Sequence, residues 1–461
     1  MPRKPLEGIR VIDSTYVFAM PYAAGLLTDL GAEVIKVEGV LHPDRSAAAG
    51  SPDNYDGDDP WNRGATFNQL NRGKRSLTLD LSKEEGRDAF KDLVRISDVV
   101  IENYTPRVMR RWEMDYPNLR KIKPDIIMMS NTGYGHGDGP YAAYPGQATT
   151  MEATHGLCWV TGYQGEFPSK AGQSYVDFLA CFNGLFAVAA ALRHRNRTGK
   201  GQWIDLGMYQ VGVYWTSEHI MDYIANQRLG GSMGNRHPWR APQGCYPCKG
   251  DDNWCVLSVG DDEEWMALCK AMNKLELTDD PRFMTNLDRR RNHDELDELI
   301  SSWSKTHDKF EVMEALQNVG VPAGPVFTSK DANLNPHYWE RGFLEKVTWP
   351  PEQQGMDTRV LMGRPWQLSK VPLNITEPTH AFGRDNRYVL QELFGKSDAD
   401  VARMEESQMI GNQPLIGSRR GAPYVPPNPG QQAAQAQRGN APPVGRAVTF
   451  MDPDYKKLLG I

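Results

Sequence analysis

Cysteine is scarce, with six in 461 residues. That is too few for a disulfide scaffold in a chain of this size and points to a reducing cytoplasm. Charge of one sign is not in excess either. Lys and Arg number 52 against 58 Asp and Glu, a net charge of −6, which excludes a surface built for bulk nucleic acid or an anionic membrane but leaves room for a local basic pocket. Met1 to Gly8 carry no apolar signal core. The longest apolar run, Phe178 to Leu192, is broken by Asn183 and Gly184 and falls short of a membrane span. What is left, 40% apolar and 24% charged residues, describes a soluble globular protein with room for two or three domains.

The N-terminal half alternates β-rich runs with helical periodicity. Ile9–Asp13, Glu33–Val37, Ser76–Leu81, Asp98–Glu102 and Asp125–Met129 read as strands, and Pro21–Leu30 as a helix closing at Gly31. Ser82 stands at an N-cap position with Glu85 three residues on, predicting a capping box and a helix whose apolar face is Ala89, Phe90, Leu93 and Val94. Strands separated by helices of this length imply right-handed βαβ units and a parallel sheet, an α/β fold. After about residue 215 the pattern changes. Gly230-Gly-Ser-Met-Gly-Asn235 punctuates the chain, followed by a predicted hairpin over Cys245–Val259 and helices near Glu263–Met272, His293–Thr306 and Asp385–Phe394.

Asp177 is the most informative residue. It opens a run in which Phe178, Phe182, Leu185, Phe186, Ala189 and Leu192 recur at helical spacing, and the helix ends in the basic, glycine-rich stretch Arg193–Gly201. A carboxylate in a helix's first turn sits near unpaired backbone N–H groups, which keep it ionised and available as a nucleophile. The same position suits a plain N-cap, and the local pattern does not choose between the two.

The surrounding motifs do bear on that choice. Pro5–Asp13, Gly31–Glu38, Asn71–Ser76, Val100–Pro106, Gly133–Pro140, Thr198–Gln202 with Asp205 and Met208, and Gly320–Val326 occur in this order over about residues 5–395. Taken together, the chain resembles the family III CoA-transferases, the group of formyl-CoA transferase and the carnitine and bile-acid CoA-transferases, with a further likeness to succinyl-CoA:benzylsuccinate-type enzymes.

That resemblance implies a Rossmann-like parallel-sheet domain over residues 1–215, completed by 376–415. Linkers at 216–240 and 351–375 flank a small α+β domain at 241–350. A low-complexity tether at 416–447 leads to a segment, 448–461, that either docks on another surface or subunit or stays a disordered tail. It also implies an interlocked dimer and a CoA thioester used as substrate, with no permanent cofactor and no metal. Asp177 takes the catalytic aspartate's place. Lys74, Arg75, Asn103, Tyr104 and Arg111 fall where the family contacts CoA, and Val17, Phe18 and Ala19 where it lines the acyl pocket. Gln147 and Glu152 complete the pocket set, and Gly230, Gly231 and Gly234 are either a lid or a linker. Gly39 stands where formyl-CoA transferase carries an arginine, and Phe18 where it carries a glutamine, which points away from a tiny polar acceptor. The implied reaction (EC 2.8.3 type) moves CoA from an acyl-CoA donor, succinyl-CoA in the leading reading, to an aromatic, branched or dicarboxylic acid through aspartyl anhydride and aspartyl-CoA intermediates.

Two alternatives stay open. An α-methylacyl-CoA racemase shares the aspartate but pairs it with a histidine in a Gly-His-Asp setting. Here the triplet is Gly146-Gln-Ala148, and a glutamine takes no proton at neutral pH. His155 is nearby but out of register, which suits a structural histidine. A non-catalytic subunit of a hetero-oligomer is the other alternative, with Ala148 replacing a supporting glutamate of formyl-CoA transferase. A dinucleotide site is excluded because Gly133-x-Gly-x-Gly-x-Gly139 lacks the required spacing. The spacing of Cys245, Cys248, Cys255 and Cys269 fits no common zinc ribbon, and Trp159, Trp215 and Trp239 are expected in the core.

Overall fold

A computed structural model describes residues 3–48, 50–54, 59–172, 174–353, 356–415 and 452–461. The chain divides into two compact units, one of Met1–His155, Gly172–Ser217 and Pro336–Ile461, the other of Gly156–Ala171 and Glu218–Asn335. These boundaries differ from those expected at 215, 241 and 350: residues 156–171 join the smaller unit, and the chain is back in the larger one from Pro336. The expected tether at 416–447 and the start of the expected docking segment lie outside the described residues.

The larger unit is built on one all-parallel sheet of β1 (Arg10–Ser14), β2 (Glu33–Glu38), β3 (Arg75–Thr78), β4 (Val99–Glu102), β5 (Ile127–Thr132) and β6 (Trp203–Gly207), in the order β3-β2-β1-β4-β5-β6. Its strands read as unbroken apolar runs because both faces are covered. Val11, Val34, Ile101 and Met129 pack under helices Ala19–Asp29 and Tyr175–Thr198. Ile12, Ile35, Val100 and Met128 pack against Phe90 and Leu93 of helix Glu84–Arg95 and against Val389 and Leu390. β6 escapes a sequence reading because its burial alternates between exposed and half-buried until Gly207.

The expected capping box at Ser82 does not form. The Ser82 hydroxyl donates to Asp80 Oδ1 at 2.6 Å, so that side chain is committed to its own turn and the helix starts two residues later at Glu84. The helix expected over Asp385–Phe394 is a π-helical turn at Tyr388–Leu393. Just before it, Asp385 Oδ2 accepts from Ser76 N at 2.7 Å and Asn386 Oδ1 from Thr78 N at 2.8 Å, closing the outer edge of β3.

Helix Tyr175–Thr198 is longer than the apolar run suggested. By length and composition alone it could cross a membrane, yet one face is buried in this unit. Gly184 is a contact point rather than an interruption, since a Cβ there would lie 2.8 Å from Met20 Cε. The buried face overlaps the predicted one only at Leu185 and Leu192. Val176, Ala180, Cys181, Leu185, Val188 and Leu192 face the core, while Phe178, Phe182 and Phe186 form a partly exposed ladder, Phe186 being 74% exposed. Small residues let this helix lie close to its neighbour, and the bulky rings go to the other side.

In the smaller unit β7 (Gln243–Pro247) and β8 (Trp254–Ser258) form the expected hairpin, and β9 (Ala323–Pro325) adds a third antiparallel strand. Cys248, Cys255 and Cys269 belong to its apolar core. Among the described residues no three His, Cys, Asp or Glu side chains gather to hold a metal. Trp159, Trp215 and Trp239 are exposed rather than buried. The hairpin of β10 (Leu344–Thr348) and β11 (Thr358–Met362) belongs to the larger unit.

Candidate active site

A parallel sheet aims all its strand-to-helix loops at one edge, and where the connections run opposite ways from adjacent strands a crevice opens at the carboxyl ends. In this sheet the reversal lies between β1 and β4, and a cavity of about 850 Å³ opens there. Every strand contributes to its wall. Tyr16–Ala19 follow β1, Gly39, Leu41, His42 and Arg45 follow β2, and Leu79–Ser82 follow β3. Asn103–Pro106, Arg111 and Trp112 follow β4, Asn131–Gly133 close β5, and Met208 follows β6. Tyr144, Gly146–Thr149, Ser174 and Asp177 complete it.

Asp177 is half-buried in the first turn of its helix, its N–H donating to Ser174 O at 3.0 Å. Ser174 is in the left-handed region (φ 54°, ψ 37°) and its side chain caps nothing. Glu152 takes over that duty. Fully buried on helix Ala148–Thr154, its Oε1 accepts from Tyr175 N at 2.6 Å. A carboxylate at that end satisfies one of the orphan donors and suits the helix dipole. Glu152 therefore anchors the helix that carries Asp177 rather than lining the cavity. One turn beyond Asp177, burial pushes the Cys181 thiol up to about 12, so this neighbour stays protonated.

The loop after β1 is strained and tightly held. Val17 has φ 73°, an outlier for a β-branched residue, of a kind that persists only where the surroundings over-determine it. They do so here. The Val17 N–H donates to both carboxylate oxygens of Asp44, at 3.1 and 3.2 Å. Asn103 brackets Tyr16, Oδ1 accepting from its N–H at 3.0 Å and Nδ2 donating to its carbonyl at 2.8 Å. Tyr104 reaches Ser14 Oγ at 3.0 Å and sets its ring 5.4 Å from Trp112. Asn103 and Tyr104 thus line the cavity and also fix the β1 loop, a double role the sequence did not reveal.

Two predicted CoA contacts lie elsewhere. Lys74 is fully buried, its Nζ donating to Asp13 Oδ2 (2.6 Å), Pro21 O (2.7 Å) and Asn71 Oδ1 (2.8 Å). Burial pulls this lysine down to about 8 against the pull of Asp13. It is a structural cation beneath the β1 loop. Lys36 beside it donates to Thr15 O and Asp44, and the carboxylates of Asp44, Asp13 and Glu38 outweigh its burial and hold it above the ordinary lysine value. Arg75 pairs with Glu33 and Asp385 and stacks on Tyr388, 4.1 Å from the ring centroid, so it too is outside the lining. Arg111 is where it was expected, exposed on the wall.

The reading from sequence missed Arg45 and His42. Both lie just past the carboxyl end of β2, and that position was the available signal. Val17, Phe18, Ala19 and Gln147 line the cavity as expected, with Phe18 set edge-on to Phe178 at 4.9 Å. His155 is buried against Gly212, where a Cβ would fall 2.1 Å from its ring, and is not on the wall. Gly230, Gly231 and Gly234 belong to the smaller unit, where Gly234 N donates to Gly162 O at 2.8 Å.

Glu102, at the end of β4, is buried, and burial raises its carboxyl to about 7 from 4.5. Its Oε2 accepts from Tyr104 N at 2.8 Å. The folded protein therefore holds a proton here that the unfolded chain releases. The resulting stabilisation is full below pH 4.5 and is lost as pH rises through 7, on the order of 3 kcal/mol by pH 8. Glu102→Gln keeps an acceptor for Tyr104 and is expected to flatten the stability profile between these limits. Unfolding midpoints that track wild type across the range would show that Glu102 does not titrate there.

The model of CoA-transferase family III matches residues 6–386. Among characterised proteins, the succinyl-CoA–D-citramalate CoA-transferase of Chloroflexus aurantiacus is 31% identical over 409 residues, covering 89% of this chain and 99% of that one. The beta subunit of the succinyl-CoA–L-malate CoA-transferase of the same organism is 30% identical over 410 residues, covering 88% and 98%. Among solved structures, a CAIB/BAIF family protein from Brucella suis superposes with a TM-score of 0.76 at 31% identity, over 85% of this chain and 100% of that one.

Proposed function

Because the chain belongs to CoA-transferase family III, we propose that Asp177 is its acyl-accepting nucleophile and that it moves CoA from succinyl-CoA to a dicarboxylic acid. The observation that carries this is the place of Asp177, a carboxylate in a helix's first turn on the wall of the cavity where all six parallel strands end.

The steps balance on that one carboxylate. Its oxygen attacks the thioester carbonyl, the C–S bond breaks, and a mixed anhydride and CoA thiolate result. The thiolate attacks the aspartyl carbonyl, releasing the donor acid and leaving an aspartyl-CoA thioester. The acceptor carboxylate then displaces the thiolate to form a second anhydride. The thiolate opens it at the acceptor's carbonyl, giving the new acyl-CoA and restoring Asp177. A carboxylate serves because an anhydride keeps the thioester's free energy, whereas water would dissipate it.

Arg45 and Arg111 supply cations for the CoA phosphates, and Trp112 with Tyr104 offers an aromatic wall for the adenine. Gln147, Thr149 and Ser174 bring amide and hydroxyl groups to the cavity that Asp177 lines, which suits a second carboxylate better than an aromatic ring. The two relatives compared act on citramalate and malate, both dicarboxylic. Arg111→Ala is expected to raise KM for the acyl-CoA about tenfold with kcat near wild type. An unchanged KM would take Arg111 off the phosphate path.

Incubation with succinyl-CoA and hydroxylamine, followed by peptide mass analysis, tests the nucleophile: a donor-dependent hydroxamate is expected on Asp177, and its absence refutes the intermediate. A panel of free acids tests the acceptor, and turnover confined to aromatic acids would overturn the dicarboxylic assignment. The racemase alternative loses the base at its usual place, since Gln147 stands there and lines the cavity as an amide that takes no proton at neutral pH. Deuterium uptake at the α-carbon without acceptor would revive it.

The exposed ladder of Phe178, Phe182 and Phe186, with Tyr214 at 83% exposure, supports a second copy or a related subunit covering this face, as does the subunit name of the L-malate relative. The low cysteine content supports a cytoplasmic location.

A further inference from the structure

The last ten residues, Asp452–Ile461, lie well beyond the stretch matched by the family model, which ends at residue 386. They nonetheless make a defined contact with the larger unit. Tyr455 and Lys456, in the short helix Tyr455–Leu459, both reach Asp53. The Tyr455 hydroxyl donates to Asp53 Oδ1, and Lys456 Nζ lies 3.1 Å from Oδ2. Arg359 of β11 completes the cluster, with Nη2 on Asp53 Oδ2 at 2.9 Å and Nη1 on the Tyr455 hydroxyl at 2.7 Å. Lys346 of β10 donates to Gly460 O at 3.0 Å. The contacts named are all between polar groups, and Leu458 stays exposed.

What the tail holds is a loop of the cavity. Asp53 is itself in the left-handed region, φ 58° and ψ 17°, which aspartate and asparagine adopt more readily than other non-glycine residues. Arg359, Tyr455 and Lys456 all reach its carboxylate, and the last two come from the tail. The same stretch after β2 carries His42 and Arg45 on the cavity wall. At its other end it is tied by Asp44, which receives Val17 N and the Ser46 N–H and hydroxyl. Asp44 fixes one end of the loop and the tail clamps the other.

We propose that the face made by Asp53, Arg359 and Lys346 is an intrachain binding site for this chain's own C-terminal Asp-Tyr-Lys-Lys segment, and that docking sets the position of Arg45 and His42 in the cavity. The effect on catalysis rests on the reading of that cavity as the CoA site. The docking itself does not.

The test uses the full-length protein with Tyr455→Ala/Lys456→Ala, and separately Asp53→Asn, since Asn tolerates left-handed backbone. In hydrogen exchange, peptides spanning residues 41–54 are expected to exchange about tenfold faster in either variant, reflecting lost charge-assisted hydrogen bonds. KM for the acyl-CoA is expected to rise about fivefold with kcat within about twofold. Combining the two variants is expected to add little, because both break one contact. Unchanged exchange at 41–54, or fully additive effects, would overturn the docking site. Faster exchange with unchanged KM would keep the docking and overturn its role at Arg45. Protection that falls on dilution would place the segment on a second copy and refute the intrachain assignment.

Discussion

Asp177→Asn is expected to lower CoA transfer by about a thousandfold or more, with KM for the acyl-CoA within about twofold of wild type. An amide neither attacks the thioester at a useful rate nor forms an anhydride, so every step loses its only covalent carrier. The fold is expected to survive. Asp177 is half-buried, and Glu152 on Tyr175 N holds the helix start. Circular dichroism and the unfolding midpoint should therefore match wild type while steady-state exchange between succinyl-CoA and a labelled acid falls to background. Undiminished transfer by the variant would refute the whole mechanism.

The second large effect is on stability. Lys74→Met is expected to destabilise the protein by on the order of 3–5 kcal/mol, because it strands the fully buried Asp13 carboxylate. Asn71 Oδ1 and Pro21 O lose a donor at the same time. In urea the midpoint should fall with little change in slope. Adding Asp13→Leu to Lys74→Met should recover much of the loss, since it removes the unpaired charge as well. If Lys74→Met unfolded like wild type and only raised KM for the acyl-CoA, the lysine would be a phosphate contact after all.

That lysine shows what a sequence conveys and what it withholds. Asn71-Arg-Gly-Lys-Arg-Ser76 was legible as a motif, and its place beside a strand was right. Nothing in the letters distinguishes a cation on a rim from one beneath a loop, because that depends on Asp13 and Asn71 meeting Lys74 in space. The sheet was easier to read. Runs such as Val99–Glu102 are apolar on both sides and bounded by polar residues, so local composition announces them. β6 was missed because Trp203-Ile-Asp-Leu-Gly207 lies half-exposed at the sheet's edge and carries a charge.

The helix of Asp177 was legible in existence but not in its full length or its orientation. Phenylalanine every fourth residue suggested a core face, whereas close approach to helix Ala19–Asp29 requires Gly184 and the alanines there instead. Among the site residues, Asp177 was visible because it opens a readable helix, whereas Arg111, Gln147 and the Val17–Ala19 loop were visible only through the family resemblance. Arg45 and the anchoring role of Glu152 depend on tertiary contacts alone.

The way the cavity draws its wall from the end of every strand also bears on how such proteins diversify. Each loop hangs from its own rigid strand, and Asn103 and Asp44 tie the loops after β1, β2 and β4 to one another, so a change in a loop outside that group can retune acid preference while the tied loops keep hold of the shared carrier. A single scaffold can in this way branch into enzymes for citramalate, malate and further acids by local edits, leaving the internal framework untouched.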